Sequence, residues 1–212
     1  ELGGSTVAAA ATAYVTTKGA NPTVQLGLTG SRMPVHVVKR LWPAIVSPAV
    51  RAWVFNNVHA GILERCDIAL NSPLEALMRK ELPLPDNGLH AEFVLSDGVV
   101  SAVGTLPPIR EFEGRVVATG RTVAVTASHA IIESNGRRLD LSDGAVDMPD
   151  TYPKAAPIFI RLRADGPADA LAELLQSEIL QAQGMPPLDP ATTRGTLSAK
   201  LQISLPLVRD VP

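Results

Sequence analysis

The sequence predicts a mainly β protein with short helices (α+β), in which an antiparallel β-meander exposes one apolar face. Apolar and polar residues alternate along much of residues 89–163 and again along 195–207, which is typical of half-buried strands. Turn-forming residues lie between these runs. Helical spacing is confined to short stretches, so we expect the helices to cap the sheet or to pack on its apolar face. The 212 residues suffice for one domain, 1–212, with its own core.

Residues 1–31 are predicted to form strands. Val7, Ala9 and Ala11 alternate with Ala and Thr, and residues 24–28 alternate cleanly between apolar and small or polar side chains. The segment 18–22, which contains Gly and Pro, supplies the turn between the two strands.

Residues 32–82 are predicted to form a helical insert. Apolar residues fall at helical spacing after Pro34, and Ser47-Pro48 is typical of a second helix start. These helices bring Trp42 and Trp53 into one cluster, which we interpret as an aromatic plug rather than a ligand box.

A possible strand over 62–70 interrupts the predicted insert, and a third helix follows it over 72–80. Ser72 and Glu75 have the spacing of a capping box, which predicts that this helix starts at Ser72.

Residues 89–163 are predicted to be a meander of short strands. Asp97-Gly98 is a tight-turn signal, and Ser142-Asp143-Gly144 predicts another turn. The two Leu-Ser-Asp-Gly steps, at 95–98 and 141–144, suggest that the same hairpin is built twice. Residues 123–127 and 130–133 are predicted as separate strands.

A leucine-rich helix over 167–182 and a strand over 195–207 complete the chain. Gly166-Pro167 opens the helix, and Pro206 is expected to interrupt the strand. The apolar stripe of the helix consists of Leu171, Leu174, Leu175 and Ile179.

Composition and motifs support no catalytic chemistry, no cofactor and no metal site. The single cysteine excludes an intramolecular disulfide and every multi-cysteine zinc motif, and no nucleotide-binding glycine motif is present. A net charge of −2 and eight aromatic residues do not suit nucleic-acid binding. The closest grouping of residues that could form a catalytic or metal site is His59, Glu64 and Cys66. The preferred interpretation is that Cys66 is a buried thiol that packs as a small apolar residue.

The first third of the chain has no acidic residue between Leu2 and Leu63, against five scattered bases. Such a segment is suited to contact with anionic lipid headgroups. Because the bases are not clustered, a solvated surface in a charge-poor region is the preferred interpretation.

Several short motifs, in their order, resemble the AsmA-like superfamily, and more narrowly its large YhdP- and TamB-type members. These motifs are Leu41-Trp42-Pro43, the stretch 50–54 with Ala60-Gly61, Pro107-Pro108, residues 141–144, Gly166-Pro167 and Leu205-Pro206-Leu207. The resemblance covers roughly residues 25–210 and implies a sheet curled into an apolar groove (β-taco-like). It also implies a periplasmic segment of a longer Gram-negative envelope protein, anchored in the inner membrane elsewhere in that chain. The chain begins at Glu1, which we interpret as the start of an excised piece.

The resemblance implies phospholipid binding or transport between membranes, with no catalytic residue. Its partners are acyl chains, the remaining segments of the same longer chain and envelope proteins. The alternatives are a docking module that supports outer-membrane assembly without lipid and, less favoured, a hydrolase with an unrecognised site. For any single candidate residue, packing against the helices in a closed core is the preferred interpretation. The candidate groove lining consists of Phe93, Leu95, Val123, Val125, Ile158, Ile160, Leu201 and Ile203.

Overall fold

The protein is built on one open sheet of nine antiparallel strands, which pair in the order of the sequence. The computed structural model describes residues 4–42, 48–78, 84–101, 106–134, 136–153, 155–182, 184 and 188–208. The strands are β1 (Thr6–Tyr14), β2 (Thr23–Pro34), β3 (Val58–Pro73), β4 (Leu89–Val100), β5 (Ile109–Thr119), β6 (Val123–Ser134), β7 (Arg137–Met148), β8 (Ala155–Pro167) and β9 (Thr196–Val208). The predicted mainly antiparallel β class is confirmed.

Within these described ranges, five short helices connect the strands. They are α1 (Val35–Leu41), α2 (Pro48–Asn57), α3 (Leu74–Met78), α4 (Ala168–Leu175) and α5 (Glu178–Gln181), with a 3-10 turn at Asp86–Gly88. The segment 32–82 is therefore less helical than expected, because the sixteen residues of β3 occupy its centre. The predicted helix start at Ser47 lies outside the described residues.

Two predicted turns are instead β-bulges within continuous strands. Asp97 and Asp143 have φ values of 50°, and the strand register shifts beside both of them. A bulge inserts one extra residue, so the strand bends and continues without reversing. Asp tolerates the left-handed conformation better than most residues, and the following glycine relieves local crowding. The repeated Leu-Ser-Asp-Gly step is thus a bulge motif and not a hairpin turn.

Similar irregularities occur in six consecutive strands, β2 to β7, and form a line that we call the crease. Arg32 and Glu111 also have positive φ, and further register shifts lie beside Glu64 and Ser128. At each point the small and apolar residues skip one position, so they stay on one face of the sheet. The steps are Gly30 to Met33, Leu63 to Cys66, Leu95 to Gly98, Ile109 to Phe112, Ala127 to Ala130 and Leu141 to Gly144.

Helices cover the apolar face on one side of the crease, which we call the covered end. There α4 packs on β6, β7 and β8, and α1 packs on β2 and β3. Leu139, which is 2% exposed, contacts a cluster formed by Ala170, Leu171, Leu175 and Leu180. Arg137 on β7 joins the two acidic residues of α4, at 3.1 Å from both Asp169 and Glu173. The leucine stripe predicted for this helix therefore builds the core, while the Ile179 side chain lies outside the described residues.

Four local predictions differ from the structure. The Ser72 hydroxyl is buried without a hydrogen-bond partner, so it does not cap α3. Trp53 is 46% exposed, which contradicts its place in a buried aromatic plug. The C-terminal helix divides at Gln176 into α4 and α5. Finally, β9 continues through Pro206, which pairs with Pro157 of β8. Proline has no backbone N–H to donate, but an edge strand tolerates this because one of its sides has no partner strand.

Candidate functional site

The candidate site is the part of the apolar face that lies beyond the crease, opposite the covered end; we call it the open end. Residues that pair directly across antiparallel strands share a face. One such row crosses all nine strands, through Val7, Gly30, Cys66, Phe93, Val116, Val125, Val146, Ile160 and Ile203. The row next to it includes Leu28, Ile68, Ala91, Ala118, Val123 and Met148.

All eight residues proposed from the sequence lie on this one face, in three different surroundings. Phe93 packs against the buried cluster of Met33, Leu63 and Cys66. Leu201 and Ile203 pack against the core formed by α4 and α5. The remaining five are half-buried side chains of the sheet, namely Leu95, Val123, Val125, Ile158 and Ile160.

Sequence reasoning missed Val116 and Val146, which complete the central row between Phe93 and Ile160. Both follow the alternation of their strands, so the signal was present. It was obscured because the bulges at Glu111 and Asp143 shift the apolar period just before these residues.

The open end carries no charged side chain in the described part of its rows. The described large apolar residues of β2 to β9 there are half-buried, whereas Ile132, Leu139 and Leu141 under the helices of the covered end are buried. Neighbouring side chains on a sheet shield one another only partly. This surface is therefore neither sealed by the described helices nor fully exposed.

The opposite face of the sheet is polar and rich in ion pairs. Arg115 donates a hydrogen bond to Glu92 at 2.7 Å, and this bond is the main reason that the pKa of Glu92 is lowered. Arg161 contacts Asp147 at 3.1 Å on the same face. A shallow depression of about 510 Å³ beside Arg115 is lined by Glu113, Thr126 and Ser128 among others. The two faces thus differ sharply in chemistry, as expected for a sheet with one solvated side.

The three residues considered as a catalytic or metal site do not converge. His59 lies 2.8 Å from the Ser101 hydroxyl, while Glu64 accepts a hydrogen bond from Ser96 at 2.7 Å. Cys66 is buried in an apolar cluster, and burial raises the pKa of its thiol to about 11, with Asp67 adding to the shift. Across the described ranges, no group of three or more His, Cys, Asp or Glu side chains is arranged to hold a metal ion.

These observations define a class: a mainly antiparallel β protein with one nine-stranded open sheet, an apolar face and a polar face. No family model, no curated protein and no solved structure matches the chain. The resemblance to the AsmA-like superfamily therefore remains a prediction. None of the helices in the described part of the chain has the length and apolar character needed to cross a membrane.

Proposed function

We propose that the open end of the apolar face binds the acyl chains of phospholipids. The observation that carries this proposal is the described part of the open end, where the apolar rows carry no charged side chain and the large side chains of β2 to β9 are half-buried. Each methylene removed from water contributes about 0.8 kcal/mol, so acyl chains can be held without a polar site. In this proposal the curled groove expected from the sequence is the shape that the face adopts around lipid.

The dimensions of the open end support an acyl-chain ligand. From Leu89 to Leu95 the strand β4 advances six residues, or roughly 20 Å at about 3.4 Å per residue. One leaflet contributes about half of the ~30 Å hydrocarbon thickness of a bilayer. Extended lipid tails therefore match the length of this surface, while the covered end closes it on one side.

A wider role follows from the resemblance alone. We propose that the chain serves as a segment of a longer, inner-membrane-anchored protein that moves phospholipid through the periplasm of a Gram-negative envelope. The remaining segments of that chain and other envelope proteins are its proposed partners. No catalytic step is assigned to it.

The decisive experiment measures lipid bound by the purified protein. We expect native mass spectrometry to detect co-purified phospholipid, and a phospholipid with a fluorescent acyl chain to bind the stripped protein. Val125→Asp places a charge on the open end and should reduce binding at least about tenfold, because an isolated charge is costly to bury beside hydrocarbon.

Thr126→Asp is the matched control, since the neighbouring Thr126 is exposed on the polar face. It should bind lipid as the unmodified protein does. Thermal unfolding of both variants separates loss of binding from loss of fold, and the milder Val125→Thr tests the same point with less strain. Absence of lipid binding, or equal losses in Val125→Asp and Thr126→Asp, would refute the proposal.

A docking module without lipid is the second candidate, and β1 is the observation that favours it. All nine residues of this edge strand are exposed, and none is charged or a proline. An unprotected edge is a template for strand addition. In that case Ala10→Pro would abolish capture of the partner strand, while fluorescent-lipid binding would be absent from the start.

A further inference from the structure

We infer that the helix pair α1–α2 is a docking surface for the anionic headgroup layer of a membrane. Three of its apolar side chains are strongly exposed: Leu41 at 56%, Val50 at 54% and Trp53 at 46%. Val50 and Trp53 are three positions apart and therefore share one side of α2. Large apolar side chains that are exposed next to one another often mark a surface that binds another protein or a membrane.

Contacts between the two helices tie α1 to α2 close to these exposed side chains. Lys39 of α1 donates to the Phe55 carbonyl of α2 at 3.1 Å, and Arg51 of α2 donates to the Trp42 carbonyl at 3.3 Å. Both cations also lie over the Phe55 ring, at 5.6 Å and 4.0 Å from its centroid. These contacts hold α1 and α2 together. Leu41 and Val50 are the chain neighbours of Trp42 and Arg51, which are joined by one of these bonds.

The charge of this surface selects an anionic partner. Lys39, Arg40 and Arg51 belong to the helix pair, and no acidic residue occurs anywhere between Leu2 and Leu63. A base near an anionic membrane contributes about 1 kcal/mol. Exposed Trp and aliphatic side chains flanked by bases are the combination that inserts into the interfacial layer of a bilayer. The structure therefore adds to the sequence pattern, because three of the five scattered bases lie on the same helix pair as the exposed apolar side chains, and Arg40 among them is exposed.

This inference does not depend on the proposed function. The docking surface lies on the helices at the covered end, whereas the proposed acyl-chain site lies on the sheet at the open end. Failure of either can be recognised separately, because Val125→Asp should leave docking unchanged and the docking variants should leave binding of fluorescent phospholipid in solution unchanged.

The test is flotation of the purified protein with two kinds of vesicle. One is made of phosphatidylcholine alone, and in the other phosphatidylglycerol replaces about a third of it. We expect binding to the second kind, weakening as salt is raised. Leu41→Ser combined with Trp53→Ser should weaken binding at least about tenfold. Arg40→Glu should weaken it by a similar factor.

Matched controls lie at the other end of the sheet. Met78→Ser removes an apolar side chain that is 76% exposed on α3, and Lys18→Glu makes the same charge change as Arg40→Glu in the turn before β2. Both should bind as the unmodified protein does. If neither vesicle binds, or if the controls lose as much as the α1–α2 variants, the inference is overturned.

Tryptophan fluorescence gives a second readout that does not rely on loss of function. The chain has two tryptophans, so Trp42→Phe leaves Trp53 as the reporter. We expect its emission to shift to shorter wavelength on anionic vesicles and to be quenched by lipids with brominated acyl chains. An unchanged spectrum would contradict insertion. So would a dimer seen by sedimentation that the Leu41→Ser and Trp53→Ser changes dissociate, because these side chains would then join two copies of the chain.

Discussion

Replacing Leu139 by Ala tests whether the covered end carries the stability of the protein. Leu139 is 2% exposed and lies under α4 and α5, in contact with Leu171, Leu175 and Leu180. Truncation removes the equivalent of about three methylenes, or roughly 2.4 kcal/mol of transfer free energy at about 0.8 kcal/mol each. The cavity left behind adds to this, because α4 is also tied to β7 through Arg137 and cannot collapse freely. We expect a loss of about 3–4 kcal/mol in the free energy of unfolding.

The assay is urea unfolding followed by circular dichroism, with thermal unfolding beside it. For a chain of this size a loss of 3–4 kcal/mol lowers Tm by about 6–16 °C. Leu41→Ala is the matched control, since Leu41 is 56% exposed and its truncation should cost less than about 0.5 kcal/mol. Similar losses in the two variants would refute the assignment of the core to the covered end.

Three further predictions concern other parts of the sheet. Arg137→Ala should lower Tm by less than Leu139→Ala, with a difference from the unmodified protein that shrinks at high salt, because it removes partly exposed ion pairs to α4; an equal difference at low and high salt would contradict this. Gly120→Ala should be destabilising in urea unfolding, since its Cβ would lie 2.1 Å from the Pro85 carbonyl oxygen, whereas Gly27→Ala, with open space around it, should be neutral or slightly stabilising. Finally, the Cys66 thiol keeps its proton in the fold up to a pKa of about 11 but loses it near 9.0 when unfolded, so stability should fall as pH rises from 9 towards 11. The free energy of unfolding of Cys66→Ala should fall less over this pH range. If the two proteins lose stability in parallel, the Cys66 thiol is not the group responsible.

Alternation along the chain predicted the fold class and the composition of the apolar face. In a strand with alternating apolar and polar residues, the apolar side chains all point to one face of the sheet. Phe93, Val125 and Ile203 were therefore correctly expected to share a face. The sequence of one strand does not say which other strand it pairs with. Because the turns between successive strands are short, however, a meander in which each strand pairs with the next was the expected strand order. The register then carries a single row through all nine strands.

Strand boundaries were predicted poorly at the bulges. Asp-Gly between two apolar runs is a strong hairpin signal, and a bulge that skips one apolar position looks the same in a sequence. Residues 123–127 and 130–133 were separated for this reason, although β6 runs through both. Only the hydrogen bonds of the neighbouring strands decide between a turn and a bulge, and those partners are distant along the chain.

The exposed helix pair was also missed, for a different physical reason. Trp42 and Trp53 were assigned to a plug because aromatic residues at helical spacing usually pack inwards. The structure turns Trp53 outwards, while Lys39 and Arg51 both lie over the Phe55 ring and tie α1 to α2. Contacts between side chains on two different helices are not a property of either helix alone.

The crease explains how one sheet can be both core and open surface. In β6 and β7 the boundary between buried and half-buried side chains of the apolar face falls at the bulge, between Ala130 and Val125 and between Leu141 and Val146. Each bulge bends its strand while keeping apolar side chains on one side. Five neighbouring bulges, together with the left-handed Arg32 of β2, therefore bend the sheet along one line. The helices pack on one side of that line and leave the other side of the face without a described cover. Stability and ligand binding should consequently respond to different substitutions, with Leu139 affecting the first and Val125 the second.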